Sequence, residues 1–434
     1  MEMACGGNAG RGLNSNLDSY RLPTMLIIPQ SETRVQRLIT PVIGAVSRHY
    51  RELLPAVRAM LSVICSMALA ERTKPLSVIF EAQSGFGKTA VVQMAFPQSE
   101  ASELSKRIYR SDRFTPKSFV THAANLKATE RAKVDLLPRI RGKVLITKEL
   151  APIFRGREEE LRDIFSLLIS VLDGKGFTSD SGTCGQRGYK RDLLFNWIGC
   201  TTPLPLGTHR LMSQLGTRLL FYELPVVSFS DDQLLEYAGR DEADTAENEC
   251  QAAVNDFLLS FFDENPVGSV DPSTVPIPDA QLRQLVRWAQ LLVAGRAEVV
   301  FERNGTAWKP VAAMAPEGPH KVIQYLKDLA RGHCLAHDRM EVNDADVGLA
   351  AEVAISSIPG TIRPIVRKFR ELPVIDTGTV MQLCRVSDHT ARGYMAQLRL
   401  LGLVTLSKGA AMTNRPDRAT LAQSFQWLRN GVKR

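Results

Sequence analysis

The sequence predicts an α/β protein, a parallel sheet sandwiched by helices, followed by a helical region and a C-terminal winged helix-turn-helix. Three observations carry that expectation. The runs Leu76 to Phe80, Lys143 to Thr147, Leu193 to Cys200 and Leu219 to Leu224 are short and mainly apolar, as strands buried on both faces are. Segments of helical periodicity lie between and after them, with Glu158 to Asp173 placing Leu161, Ile164, Phe165, Leu168, Val171 and Leu172 on one face. The first run leads into a glycine-rich loop and then a helix pattern, which is the context of a phosphate-binding turn.

That loop, within LSVIFEAQSGFGKTA, reads Ala82-Gln-Ser-Gly-Phe-Gly-Lys88-Thr89 and fits the Walker A spacing except that Ala82 replaces the first glycine. Gly85 and Gly87 let successive backbone NH groups turn inward on phosphates. Lys88 is the cation for the β- and γ-phosphates, and the Thr89 hydroxyl is a ligand for Mg²⁺, so ATP and Mg²⁺ are the expected cofactors. Lys143 to Thr147 ends in Lys148-Glu149-Leu150, which puts an acid at the end of a second strand. Hydrolysis needs a carboxylate to orient the attacking water, and Glu149 is the candidate; a surface glutamate after a core strand is the plain alternative. An aspartate usually precedes that glutamate to serve the metal. Here Lys148 stands in its place, so either another acid holds Mg²⁺ or the site binds nucleotide and turns it over slowly.

With 434 residues the chain has room for two or three domains, and 54 Lys and Arg against 46 Asp and Glu give a net charge of +8, which permits an acidic partner such as nucleic acid. Seven cysteines without a CxxC pair argue against a disulfide framework or zinc site and fit a reduced, cytoplasmic protein. The N-terminus has no charged region running into an apolar one. Ala59 to Ala70 is too short to span a bilayer, so no membrane partner is expected. The boundaries that follow are a disordered N-terminus (1–24), a helical lead-in (25–74), the ATPase core (75–225), a helical lid (226–358) and a winged-helix domain (359–434).

Within the core, Arg107 to Tyr109 reads as a further strand, Thr115-Pro116 as a helix start, and His122 as a structural histidine. Gly174 to Arg191 is glycine-rich and basic and reads as a protruding hairpin, whose Lys175, Arg187, Lys190 and Arg191 either meet DNA phosphates or are simply solvated. Leu193 to Cys200 delivers Thr201 and Thr202 to a strand end that faces nucleotide in parallel sheets, and a short helix spans His209 to Gln214. The acidic run from Ser228 to Glu249 reads as a solvated helical surface. Helices are expected over Asp279 to Ala294, His320 to His333 and Asn343 to Ile358. Thr361 to Leu372, Thr377 to Cys384 and the segment after Val386 follow as the winged helix, with Ser387 as a cap, Met395, Leu398 and Leu401 facing its core, and Arg392 and Arg399 free for DNA.

Taken together, the chain from about Leu76 to Ile358 resembles the AAA+ ATPases, and most closely their minichromosome-maintenance-like branch, of the kind found in uncharacterised ATPases of bacterial chromosomes, phages and mobile elements. AQSGFGKT resembles Walker A, ITKEL resembles Walker B, the Gly174 to Arg191 segment resembles the hairpin before sensor 1, and GCTTP resembles the sensor 1 strand end. The resemblance implies that Thr202 is sensor 1. QLGTRLLF looks like the arginine-finger segment, which implies that Arg218 reaches a neighbour's γ-phosphate in a hexameric ring. The stretch from Gly318 to Ala350 is similar to that branch's lid and puts Lys321 at the sensor 2 position, among the nucleotide-binding residues. The expected function is an oligomeric Mg²⁺-dependent ATPase acting on DNA as a motor or helicase. The alternatives are an ATP-switched DNA-binding initiator or regulator with slow turnover, and a protein remodeller that docks partners through the winged helix.

Overall fold

The computed structural model describes residues 34–112, 114–121, 127–181, 185–205, 208, 216–226, 230–232, 235, 243–304, 307–407 and 416–429. The expectations for 1–24, for His122 and for the helix from His209 to Gln214 lie outside the described residues, as does part of the acidic run. The four apolar runs form β1 (Leu76–Glu81), β3 (Val144–Thr147), β6 (Asn196–Thr201) and β7 (Leu220–Glu223), the strand read at Arg107 to Tyr109 forms β2 (Ile108–Arg110), and a hairpin of β4 (Phe177–Ser181) and β5 (Gly185–Tyr189) precedes β6. The five strands of the main sheet are ordered β2-β3-β6-β1-β7 and pair in parallel throughout.

Both faces of this sheet are covered, which is why its strands carry no polar alternation. Val78, Phe80, Val144, Ile146, Ile198, Cys200, Leu220 and Tyr222 enter one core, while Ile79, Leu145, Trp197 and Phe221 enter the other. Helices Leu136–Ile140, Ala151–Phe154 and Glu158–Val171 close the second core. The first core is larger. It takes in helices Leu54–Cys65, Asp279–Gly295, His320–Ala336 and Asp344–Ser356, so the helical lead-in and the helices expected to form a lid share one interior.

Helix Leu54–Cys65 packs along His320–Ala336, and Arg34–His49 packs along Ala243–Glu264. Glu249 joins the latter pair, accepting from Arg48 and lying 2.7 Å from His49 Nε2, so at least this residue of the acidic run has a structural partner. Between helices Asp279–Gly295 and His320–Ala336 the chain forms an antiparallel hairpin, β8 (Val299–Asn304) and β9 (Ala307–Ala313), where only helices are expected. The last portion has helices Arg363–Lys368, Thr377–Cys384 and Asp388–Leu400 and a three-stranded antiparallel sheet of β10 (Val374–Asp376), β11 (Val404–Ser407) and β12 (Arg418–Leu421), the elements expected of a winged helix-turn-helix. Its first helix is shorter than Thr361 to Leu372, running over Arg363–Lys368 with Pro364 in its first turn, where a missing N–H costs nothing.

Contacts hold the described residues from 34 onward as one compact unit, with the C-terminal helices included. Trp288 and Trp427 meet edge to face at 4.9 Å, and β9 packs against helix Asp388–Leu400. Among the described residues, no helix is long and apolar enough to cross a membrane.

Two helices cross closely at Gly332, where an added Cβ would lie 2.1 Å from the carbonyl oxygen of Ser62. Gly332→Ala must therefore push the lead-in helix away from His320–Ala336. An overpacking loss of about 1–3 kcal/mol is expected, read as a lower melting temperature, and an unchanged melting temperature would contradict this close approach.

Candidate functional site

The P-loop leaves β1 at Glu81 and turns into helix Lys88–Gln93 through two glycines in the left-handed region, Gly85 at φ 87° and Gly87 at φ 75°. Gly87 is required twice over. A Cβ there would strain the backbone and would sit 2.7 Å from Leu53 Cδ1, the residue that opens the lead-in helix, whereas a Cβ on Gly85 would meet open space. Lys88 is buried at the first helical position and Thr89 is half-buried beside it. The loop is fastened to β6, because the Cys200 thiol donates to the carbonyl of Lys88 at 3.1 Å.

Since β6 lies between β1 and β3, its end is flanked by the P-loop on one side and the acid of β3 on the other. Burial pushes the Cys200 thiol well above its ordinary range, the Lys88 charge opposes this and the Glu149 charge adds to it, which places both side chains in the field of one sulfur. Lys88, Thr89, Glu149 and Thr202 thus gather at the carboxyl ends of the strands. Glu149 is turned in a particular way, with Oε1 accepting from the Ala151 amide at 2.9 Å and capping the short helix that follows. Thr202 Oγ1 accepts from Arg155 Nη2 at 2.8 Å. Lys148 lies with Nζ 5.3 Å from the Phe96 ring centroid and within the field of Asp112, whose two oxygens accept from Arg110 at 3.0 and 2.7 Å.

Asp112 is therefore no ready replacement for the missing metal aspartate. The cradle of two positive-φ glycines, a buried lysine and a threonine still fits a triphosphate with Mg²⁺, an ion that takes few protein ligands and completes its shell with phosphate oxygens and water.

Two features of this site were not predicted. Arg155 stands six residues beyond Glu149, so the short helix brings it back over the strand ends beside Thr202. Glu81, the last residue of the P-loop strand, is buried against Arg363, whose Nη1 lies 2.7 Å from Glu81 Oε2 and 2.9 Å from Glu223 Oε1. Arg367 extends this chain of charges to Glu223 at 3.2 Å and Glu352 at 3.0 Å. The C-terminal helix Arg363–Lys368 is thereby bolted to the residue before the P-loop.

Arg218 and Lys321 lie elsewhere. Arg218 precedes β7, whose Leu220 is level with Val78 of β1, so it stands at the amino ends of the strands. There Asp173 accepts from Arg218 Nη2 at 3.2 Å, from Lys74 Nζ at 3.3 Å and from Lys321 Nζ at 3.4 Å. At about 3.3 Å per residue, the length of β1 separates this group from the P-loop by ~20 Å. Lys321 is not beside the nucleotide cradle of its own chain.

The basic hairpin forms as expected, with Phe177 opposite Tyr189 and Ser181 opposite Gly185. Gly188 at φ 116° lets the strands cross closely, for a Cβ there would lie 2.0 Å from the carbonyl oxygen of Phe177. Tyr189 anchors its base by donating to buried Asp135 at 2.7 Å. Lys175, Lys190 and Arg191 are exposed and Arg187 is half-buried. In the C-terminal module Ser387 caps helix Asp388–Leu400, with Met395, Leu398 and Leu401 buried, as expected. Arg399 is exposed, but Arg392 is not free: its Nε donates to Asp388 at 2.8 Å and its Nη1 donates to Asp417.

The fold and the loop define an α/β protein with a parallel sheet flanked by helices, consistent with a P-loop nucleoside triphosphatase. No protein-family model matches the chain, and no curated protein matches it. Among solved structures it is similar to a full-length MCM homologue from Methanopyrus kandleri, at 14% identity with a TM-score of 0.39. The match covers 75% of this chain but spans only 60% of that one.

The Glu81–Arg363 pair gives a direct test of the bolt beneath the P-loop. Arg363→Met should leave Glu81 buried without its main cation and cost about 3–5 kcal/mol, and adding Glu81→Gln should restore part of the loss. Equal melting temperatures for the single variant and the wild type would contradict the pairing.

Proposed function

We propose that the chain is an AAA+ ATPase that assembles into a ring and acts on DNA. The observation that carries this reading is the division of its charged groups between the two ends of one sheet. Lys88, Thr89, Glu149 and Thr202 stand at the carboxyl ends, while Arg218 and Lys321 stand ~20 Å away at the amino ends. A complete site then needs two copies. One supplies the cradle, and its neighbour supplies the cations that offset charge developing on the γ-phosphate.

In this reading Lys88 binds the β- and γ-phosphates and Thr89 holds Mg²⁺, whose chemistry is to neutralise the phosphate oxygens. Glu149 orients the attacking water and takes its proton through Oε2, while the Ala151 amide holds Oε1. Thr202, steadied by Arg155, faces the γ-phosphate. DNA is the partner of the hairpin cations Lys175, Arg187, Lys190 and Arg191. Arg399 is a further contact, while Arg392 is already paired with two carboxylates.

A second reading has an observation of its own. With Lys148 at the metal-aspartate position and Glu149 engaged as a helix cap, the same site suits an ATP-controlled switch that binds DNA and turns over slowly. Single-turnover and steady-state rates separate the two readings, because a switch hydrolyses slowly even when saturated with DNA.

Lys88→Ala should lose ATP binding or turnover, because the loop has no second cation to reach the phosphates; wild-type activity in that variant would remove the site. Arg218→Ala and Glu149→Gln should each be inactive alone yet recover activity when mixed, since a mixed interface pairs an intact cradle with an intact arginine. Confirmed co-assembly without recovery would overturn the two-copy site.

For DNA, replacing Lys175, Lys190 and Arg191 together by alanine should reduce the slope of log affinity against log salt by roughly three counterions and leave basal ATPase intact. An unchanged slope would assign the hairpin to solvent.

A further inference from the structure

Resting on the two-copy reading above, we infer that Asp173 is the positioning residue of the inter-subunit half-site, holding Arg218 and Lys321 together for the γ-phosphate of a nucleotide bound by a second copy of this chain. Its surroundings are built for that task. Gly174, at φ 76°, allows the chain after helix Glu158–Val171 to press against the segment before β1, where an added Cβ would lie 3.0 Å from the carbonyl oxygen of Thr73 and 2.9 Å from Pro75 Cδ. That approach sets the Asp173 carboxylate beside Lys74, whose ammonium also donates to the Asp173 carbonyl at 3.1 Å.

One carboxylate here serves three cations. The contacts measure 3.2 Å to Arg218 Nη2, 3.3 Å to Lys74 Nζ and 3.4 Å to Lys321 Nζ, all longer than the ~2.7–2.9 Å of a well-formed charge-assisted bond. By contrast, Arg363 meets Glu81 at 2.7 Å. A single anion cannot meet all three groups at good geometry, so Asp173 holds them together through long contacts. Burial raises the Asp173 carboxyl, but the Arg218 hydrogen bond and charge and then Lys321 and Lys74 hold it below the usual carboxylate range, so it stays ionised at neutral pH.

Two further observations point to an anion. Lys321 lies in the first turn of helix His320–Ala336, which has Pro319 at its N-cap and no side-chain cap, so orphan amide groups and the positive end of a long helix face the same locality. The Tyr325 hydroxyl, one turn further on, is buried without a hydrogen-bond partner, and its titration is shifted up by burial, opposed by Arg218 and reinforced by Asp173. A phosphate presents more oxygens than a carboxylate and would take up Arg218 and Lys321, leaving Asp173 to Lys74.

The test uses the full chain with Mg²⁺-ATP. Asp173→Asn keeps the volume of the side chain but removes its charge, and kcat should fall about tenfold to a hundredfold with the ATP affinity of each subunit unchanged. Mixing Asp173→Asn with Glu149→Gln subunits should recover turnover, because the Glu149→Gln copy supplies an intact Asp173 to the neighbour's cradle. A purely structural role in cis would show no such complementation. Wild-type kcat in Asp173→Asn, or recovery by Arg218→Ala but not by Asp173→Asn in the same mixing experiment, would overturn this inference alone. If neither mixture recovers, the two-copy reading itself fails.

Discussion

A parallel sheet buried on both faces leaves polar chemistry only at the ends of its strands. In this chain the alternate residues of β1, β3, β6 and β7 enter two separate hydrophobic cores, so no charged group can stand on either face without a large desolvation cost. The charged residues consequently sort to the carboxyl and amino ends. The P-loop, Glu149 and Thr202 fall at one end, and Lys74, Asp173, Arg218 and Lys321 at the other. The length of the strands, ~20 Å for β1, keeps the two groups apart within one copy. The proposed two-copy site rests on that separation.

Among the described residues, several of the charges that enter the interior face an opposite charge. Arg72 is buried beneath helix His320–Ala336, where it donates to Asn196 and faces Asp328 at 3.9 Å; burial lowers its proton affinity and Asp328 supports it. Glu81 and Arg363 do the same at the opposite end. Such pairs add little net stability over an apolar core, but breaking one strands the other charge, so they fix where an element can dock. Here they fix helix His320–Ala336 against the start of β1 and helix Arg363–Lys368 against its end. A shift of the C-terminal module therefore pulls on the residue that precedes the P-loop.

Much of this was legible in the sequence, for identifiable reasons. Four of the five strands of the sheet were readable as short apolar runs, the fifth was read over Arg107 to Tyr109, and the P-loop was readable as a spacing of glycine, lysine and threonine, because these are local properties. The hairpin of β8 and β9 was missed although Asn304-Gly305 lies between runs of β-branched and aromatic residues, a local turn signal that the surrounding helical periodicity obscured. Partners far apart in sequence were out of reach: Arg363 lies 282 positions from Glu81, and no periodicity links them. Nor could amphipathic spacing reveal that the lead-in helix Leu54–Cys65 and helix His320–Ala336 bury their faces against each other. Arg392 shows the limit from the other side, since spacing placed it on a helix surface but could not foresee Asp417 reaching it from beside β12.

The claim that one copy holds only half of each site is tested most directly by measuring the specific ATPase rate across a dilution series while following the mass of the chain in the same solutions. The account predicts that the rate per chain falls as the assembly dissociates and vanishes where only single copies remain. A constant rate per chain at concentrations where the mass is that of a monomer would contradict it.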